Sequence, residues 1–203
     1  EQLSTGEVKL ECKNIIFNLP KPSLIGPHQI QNAALAAASV VYSNNFTSVD
    51  DKLFSGIGLA KWPGRIQFID KGKLLNYRCA RPIWIDGAHN SHGAAALAAS
   101  LAQITDEKWT LIAGMLDTRK PDDIFIPLKN LISEIFTITI PGQAASLSAQ
   151  ELSESCQDLG IKANAKPSLS SALSATSKSK FVVICGSLYL AGQALLLNDT
   201  LPE

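Results

Sequence analysis

The sequence predicts an α/β protein built on a mostly parallel, doubly wound sheet of the Rossmann-like kind. Three observations carry this. From Ile83 onward, short apolar runs alternate strictly with helix-forming segments. The runs Ile83–Ile85, Trp109–Met115 and Phe181–Cys185 are largely apolar, as strands buried on both faces require. The stretch from Pro82 to Leu101 joins one such run to an Ala-rich helix through a polar elbow that holds Asp86, His89, Asn90 and His92. Open α/β sheets place ligands beyond the carboxyl ends of their strands, against helix N-termini. Those four residues are therefore candidate site residues by position.

The elements follow in chain order. Val8–Leu19 alternates partly and reads as one or two strands. Pro20, Pro22, Gly26 and Pro27 break it. A helix is expected from His28 to Val41, with Ile30, Ala33, Ala34, Ala37 and Val41 at core-facing spacing. Ser48–Leu59 reads as a short amphipathic helix with Val49, Leu53 and Ile57 as its stripe. Trp62-Pro63-Gly64-Arg65 is a rigid corner, and Arg65 opens a strand to Ile69. Lys71-Gly72-Lys73 reads as a hairpin turn into a strand from Leu74 to Cys79. Helix propensity is strong over Ala94–Ala102. After the Trp109 strand comes a polar loop, with Pro121 near the first position of a helix to about Leu131. Glu134–Ile140 is a strand stopped by Pro141-Gly142. Ser148–Leu159 is a helix with Ser148 and Glu151 as a capping box and Gly160 as terminator. Ser168–Thr176 and Leu188–Leu197 are the remaining helices, and Gly186-Ser187 breaks the last strand.

Composition sets bounds. The chain has 203 residues, 46% hydrophobic and 18% charged, enough for a sizeable core. Its formal net charge is zero, which argues against nucleic acid or an anionic membrane as main partner. No apolar run reaches transmembrane length. Cys12, Cys79, Cys156 and Cys185 lack metal-ligand or redox spacing and are expected to be reduced core thiols of a cytoplasmic protein. A domain boundary is expected near Ala60–Pro63. Residues 1–60 would then belong to a different unit, too small to close a core alone, and residues 61–203 would form the α/β domain.

The motifs leave alternatives open. There is no Gly-x-Gly-x-x-Gly after a strand and no Gly-x4-Gly-Lys-[Ser/Thr] phosphate loop. Asp86, His89 and His92 can be read as a metal cluster, but the only other histidine is His28, so hydrogen bonding is the favoured role. Ser187 lacks the Gly-x-Ser-x-Gly frame of a nucleophile elbow. Asn32 is either a solvated helix residue or an amide that reads a heterocycle edge. Arg65 is either a surface charge, which residue physics alone favours, or a fork for a phosphate. Residue physics names no reaction.

Five motifs in order add a family. Leu24-Ile25-Gly26-Pro27-His28-Gln29-Ile30-Gln31-Asn32, Trp62-Pro63-Gly64-Arg65, Asp86-Gly87-Ala88-His89-Asn90, Gly114-Met115-Leu116 and Gly186-Ser187-Leu188-Tyr189-Leu190 span about residues 19–197. Together they resemble the C-terminal half of folylpolyglutamate synthase/dihydrofolate synthase, a branch of the Mur ligase superfamily. The resemblance implies an ATP-dependent amide ligase. Its pterin substrate, dihydropteroate or tetrahydrofolate, is activated as an acyl phosphate that the amino group of L-glutamate attacks. It implies that Asn32 contacts adenine, Arg65 the ATP phosphates, and Asp86 the ribose side, with His89 close by. Arg65 and His89 become the catalytic candidates, and Ser187 and Tyr189 candidates for the glutamate pocket. ATP and Mg2+ are the implied cofactors, and no metal ligand is assigned within this chain.

Two departures stand out: Ser91 where the family has Pro, and Asp117-Thr118-Arg119-Lys120 where it has an Asp-Lys-Asp-like run. The expectation is a fragment that carries the tail of the central ATP-binding domain and the whole C-terminal domain. Its missing partner is an N-terminal P-loop domain, without which ligation fails. A monomer is the default. The rival readings are a free-standing small-molecule or nucleotide-binding module and a metal hydrolase using Asp86, His89 and His92.

Overall fold

The computed structural model of the chain describes residues 3–43 and 49–200. The contacts divide it into two compact units, Glu1–Trp62 and Pro63–Glu203.

In the first unit, β1 (Val8–Cys12) and β2 (Ile15–Leu19) form an antiparallel hairpin in which Val8 faces Leu19. Lys13 and Asn14 make the turn with φ of 51° and 61°. Two left-handed residues in a row match the right-handed twist of the flanking strands. Helix α1 (His28–Tyr42) follows Pro27 and buries Ala33, Ala37 and Val41, while Ile30 and Ala34 are only half-buried. The expected helix after it is a 3-10 helix, Asp51–Gly58, capped by Asp50. Ser48, its expected start, lies outside the described residues. Three residues per turn also move the buried face: Leu53 is 44% exposed, and Phe54 is buried edge-on against Phe17 at 5.6 Å. A small cluster of Val8, Phe17, Leu19, Ala37, Val41 and Phe54 forms the unit's core.

The second unit runs β3 (Gln67–Ile69), β4 (Ile83–Ile85), α2 (Ser91–Ile104), β5 (Trp109–Ala113), α3 (Pro121–Phe125), β6 (Ile132–Thr137), α4 (Ala149–Asp158), β7 (Ala163–Ala165), α5 (Leu169–Ala175), β8 (Val182–Cys185) and α6 (Leu188–Leu197). Among the described residues its strands form one sheet in the order β3-β4-β8-β5-β6-β7. Every neighbouring pair is parallel except β3 with β4. Both faces are covered. Helices α2, α3 and α4 pack on one face through Leu97, Leu101, Ile124, Phe125, Leu152 and Cys156. Helices α5 and α6 pack on the other through Leu169, Leu173, Leu190 and Leu195. The two-residue period of β8 serves both layers: Val183 and Cys185 join the first, Val182 and Ile184 the second.

Several sequence expectations are corrected. Leu74–Cys79 is not a strand: Lys73–Arg78 is a 3-10 helix. Adjacent Leu74 and Leu75 are both buried, which a strand with one buried face cannot arrange, and Arg78 is buried with them. Helix α3 stops at Phe125, and only a short 3-10 turn, Lys129–Leu131, follows. Pro127 lacks an N–H and restricts the residue before it, which ends the helix. Strand β6 begins and ends earlier than expected, and three-residue β7 carried no apolar run to announce it. Arg65 and Ile66 precede β3 instead of opening it. Cys79 is exposed and left-handed, not a core thiol.

The other three cysteines are buried and free. Burial pushes the Cys156 thiol up to about 12. Burial, then Asp86 and Cys156, also raises that of Cys185. A thiol reacts as its thiolate, so these two are inert while folded. The folded protein is expected to take one equivalent of a maleimide, at Cys79, and all four thiols to react in denaturant. Mass spectrometry checks this; fast labelling of Cys185 in the native state contradicts it.

The capping box of α4 forms as expected. Ser148 Oγ accepts from the Glu151 N–H at 3.1 Å, and the Glu151 carboxylate accepts from the Ser148 N–H at 2.9 Å. The Ser148 side chain, then its backbone, holds the Glu151 carboxyl below its ordinary 4.5. A carboxyl lowered on folding stabilises fully above its unfolded value and loses that contribution as pH falls through the folded one. The Tm gap between wild type and Glu151→Gln is therefore expected to be largest at neutral pH and to close in acid. A gap that ignores pH contradicts this.

Candidate functional site

The sequence-predicted residues of the second unit gather where β4 and β8 end. After Ile85 the chain enters Asp86–Asn90, and after Cys185 it enters Gly186–Ser187. The Asp86 N–H donates to Ile184 O at 2.9 Å, which continues the β4–β8 ladder by one rung. The Gly186 N–H donates to Ala88 O at 3.0 Å, and the Gly87 N–H to Gly64 O at 2.7 Å. Three loops are thus pinned to one another by backbone. Gly186 has a φ of 101°, and a Cβ there would lie 2.8 Å from Gly114 O. Only glycine lets the loops after β5 and β8 cross so closely.

Two helices begin at this point. Asn90 Oδ1 accepts from the Gly93 N–H at 2.8 Å and caps α2. Ser187 Oγ accepts from the Tyr189 N–H at 3.1 Å and caps α6. These helices lie on opposite faces of the sheet, because the chain passes from β4 through α2 to β5 and β8 returns between them. Such a switch in strand order opens a crevice between the two helices. A cleft of about 220 Å³ lies there, lined by His89, Thr118, Arg119, Ser187, Leu188 and Tyr189 among others.

Each predicted side chain has a distinct setting. The His89 Nδ1 lies 2.8 Å from Gly87 O. A carbonyl only accepts, so Nδ1 carries the proton and Nε2 is left for a ligand. Asp86 is 5% exposed, and its carboxylate accepts from the Ile66 N–H at 2.9 Å and the Ala88 N–H at 2.8 Å. Arg65 is half-buried, and its guanidinium makes no hydrogen bond or ion pair among the described residues. It is tied to the cluster through Gly64 and Ile66 but does not line the cleft. Ser187 is 2% exposed and Tyr189 53%.

Asn32 lies in the first unit, exposed on α1. Its Nδ2 donates to Gln29 Oε1 at 3.1 Å, and buried Gln29 reaches His28 Nε2 at 2.9 Å. His28, Gln29 and Asn32 thus form one chain of side chains. Among the described residues no group of three His, Cys, Asp or Glu is arranged to hold a metal ion. Sequence reasoning missed Thr118 and Arg119. Their signal was the polar loop after β5, read only as a change of loop shape.

A doubly wound α/β domain with a polar crevice at its strand-order switch is a ligand-binding domain by class. The chain belongs to a family whose description is "Dihydrofolate synthetase, C-terminal domain", matched over residues 75–197. It is 30% identical over 143 residues to a dihydrofolate synthase/folylpolyglutamate synthase of Bacillus subtilis, covering 68% of this chain and 30% of that protein. The fold is that of a Mycobacterium tuberculosis folylpolyglutamate synthase complexed with ADP, with a TM-score of 0.83 and 23% identity over all of this chain and 47% of that one. It is also that of a bifunctional folylpolyglutamate synthase/dihydrofolate synthase of Yersinia pestis complexed with AMPPNP and Mn ion. There the TM-score is 0.74 and the identity 24%, over 91% of this chain and 42% of that one. The chain spans less than half the length of each of these relatives.

Proposed function

We propose that this chain is the C-terminal part of an ATP-dependent ligase that joins L-glutamate to dihydropteroate, to tetrahydrofolate or to both. Residues 1–60 are then the tail of the central ATP-binding domain, and the P-loop and Mg2+ ligands belong to the rest of the full-length protein. The enzyme works in the cytoplasm as a monomer. Asn32 meets adenine, Arg65 the phosphates, His89 the nucleotide side, and Ser187 with Tyr189 the glutamate.

The observation that carries this reading is Arg65. A half-buried guanidinium with no partner among the described residues, on backbone clamped to the crevice loops, is set to receive an anion. Ligation of this class needs phosphate charge neutralised and water kept from an activated carboxylate. An arginine on a separate domain does both when the domains close.

The test is ADP release by the full-length protein. The reading expects ADP only when ATP, L-glutamate and one of the two pterins are present together, and none from the 203-residue chain alone. No turnover with either pterin overturns it.

A further inference from the structure

We propose that Asp86 is a positioning residue that acts through the backbone of Ile66 to aim Arg65; this rests on the ligase reading above. The argument starts from a backbone outlier. Ile66 has a φ of 47°. A β-branched side chain in the left-handed region is disfavoured, because Cβ crowds the backbone and the branch stiffens χ1. Such a conformation persists only where its surroundings enforce it, and it concentrates at functional sites.

Here the enforcement is visible. The Ile66 side chain is 2% exposed, in the cluster that also holds Ala88. Its N–H points at Asp86 Oδ2, 2.9 Å away. The other oxygen of the same carboxylate takes the Ala88 N–H at 2.8 Å. One buried carboxylate therefore bridges the loop before β3 and the loop after β4. Gly87 N–H to Gly64 O, at 2.7 Å, closes the same bridge from the other side. Gly64 supplies the second left-handed turn, with a φ of 69°, and its N–H is held by Gln67 Oε1 at 3.0 Å. Arg65 sits between two left-handed residues that are both fixed from outside, while its own side chain makes no hydrogen bond or ion pair among the described residues. The direction in which the Arg65 side chain leaves the chain is thus set by backbone, and the backbone by Asp86. A carboxylate only 5% exposed, with both oxygens engaged, is better placed for this than for a direct hold on a ribose.

A kinetic cycle separates the two roles in the full-length protein. Asp86→Asn keeps one acceptor oxygen and the side-chain shape. It is expected to lower kcat by about a hundredfold, as a misplacement of about 1 Å can do. In an Arg65→Ala background, Asp86→Asn should change kcat by no more than about twofold, because the group it aims is gone. With 2′-deoxy-ATP and 3′-deoxy-ATP in place of ATP, the factor lost to Asp86→Asn should stay the same. Additive Asp86 and Arg65 effects overturn the proposal. So does an Asp86→Asn effect that disappears with a deoxy-ATP.

If the wild-type protein ligates nothing, the proposed function fails, and backbone NMR of the same protein decides the inference. Loss of hydrogen-exchange protection at the Ile66 amide, with lower backbone order at Arg65, upholds it in Asp86→Asn. Unchanged protection and order overturn it.

Discussion

On the proposed ligase reading, Arg65→Ala in the full-length protein is expected to lower kcat for ligation by at least about a hundredfold, with the fold intact. The magnitude is that of removing one preorganised donor from developing charge, and donors on a transferring phosphoryl group reach more. The fold survives because the guanidinium makes no hydrogen bond or ion pair among the described residues. Substitutions at such positions usually change stability by no more than about 0.5 kcal/mol. Arg65→Lys recovers only part of the rate, since an ammonium keeps the charge but not the planar fork. Steady-state kinetics with ATP varied, beside thermal melts of both variants, make the comparison. An unchanged kcat in Arg65→Ala removes the catalytic role and returns Arg65 to the surface charge that residue physics first favoured.

The second large effect is on stability. Arg78 is fully buried. Its guanidinium donates to Arg81 O at 2.9 Å, Ser179 O at 2.7 Å, Thr176 Oγ1 at 3.3 Å, Thr176 O at 3.5 Å and Pro82 O. It thereby ties the 3-10 helix before β4 to the segment between α5 and β8. Burial, then Arg81, lowers its pKa to about 10, so it stays protonated at neutral pH. No carboxylate neutralises it among these bonds; its partners are carbonyl dipoles and a hydroxyl. Arg78→Ala removes the donors, leaves buried acceptors unpaired and opens a cavity. The combined cost is about 3–5 kcal/mol. Urea unfolding of wild type, Arg78→Ala and Arg78→Met checks this, because Met fills much of the volume without donating. A loss below about 1 kcal/mol in Arg78→Ala would mean that water replaces the guanidinium freely.

These two arginines differ in how far sequence reading could single them out. Arg65 could be named as a candidate because it stands in a motif, Pro-Gly-Arg, whose order among other motifs carried the family resemblance. Arg78 was not, because nothing local distinguishes it from Arg81, three residues on and exposed. Its role depends on carbonyls about a hundred residues away. Thr118 and Arg119 were missed for the same reason. They reach the cleft only because Gly114 and Gly186 let two distant loops cross.

What the sequence by itself determined is the part encoded by local periodicity and local chemistry. The apolar runs at Ile83, Trp109 and Phe181 became β4, β5 and β8. The Ser148–Glu151 capping box and the Pro121 helix start stand as expected, because caps depend on residues within one turn. What only the tertiary structure decided is how those pieces meet. It set the insertion of β8 between β4 and β5, the conversion of Leu74–Cys79 from strand to 3-10 helix, and the left-handed Ile66 under the Asp86 carboxylate. Each of these trades a local preference for a burial or a hydrogen bond with a distant partner, and one-dimensional spacing carries no information about distant partners.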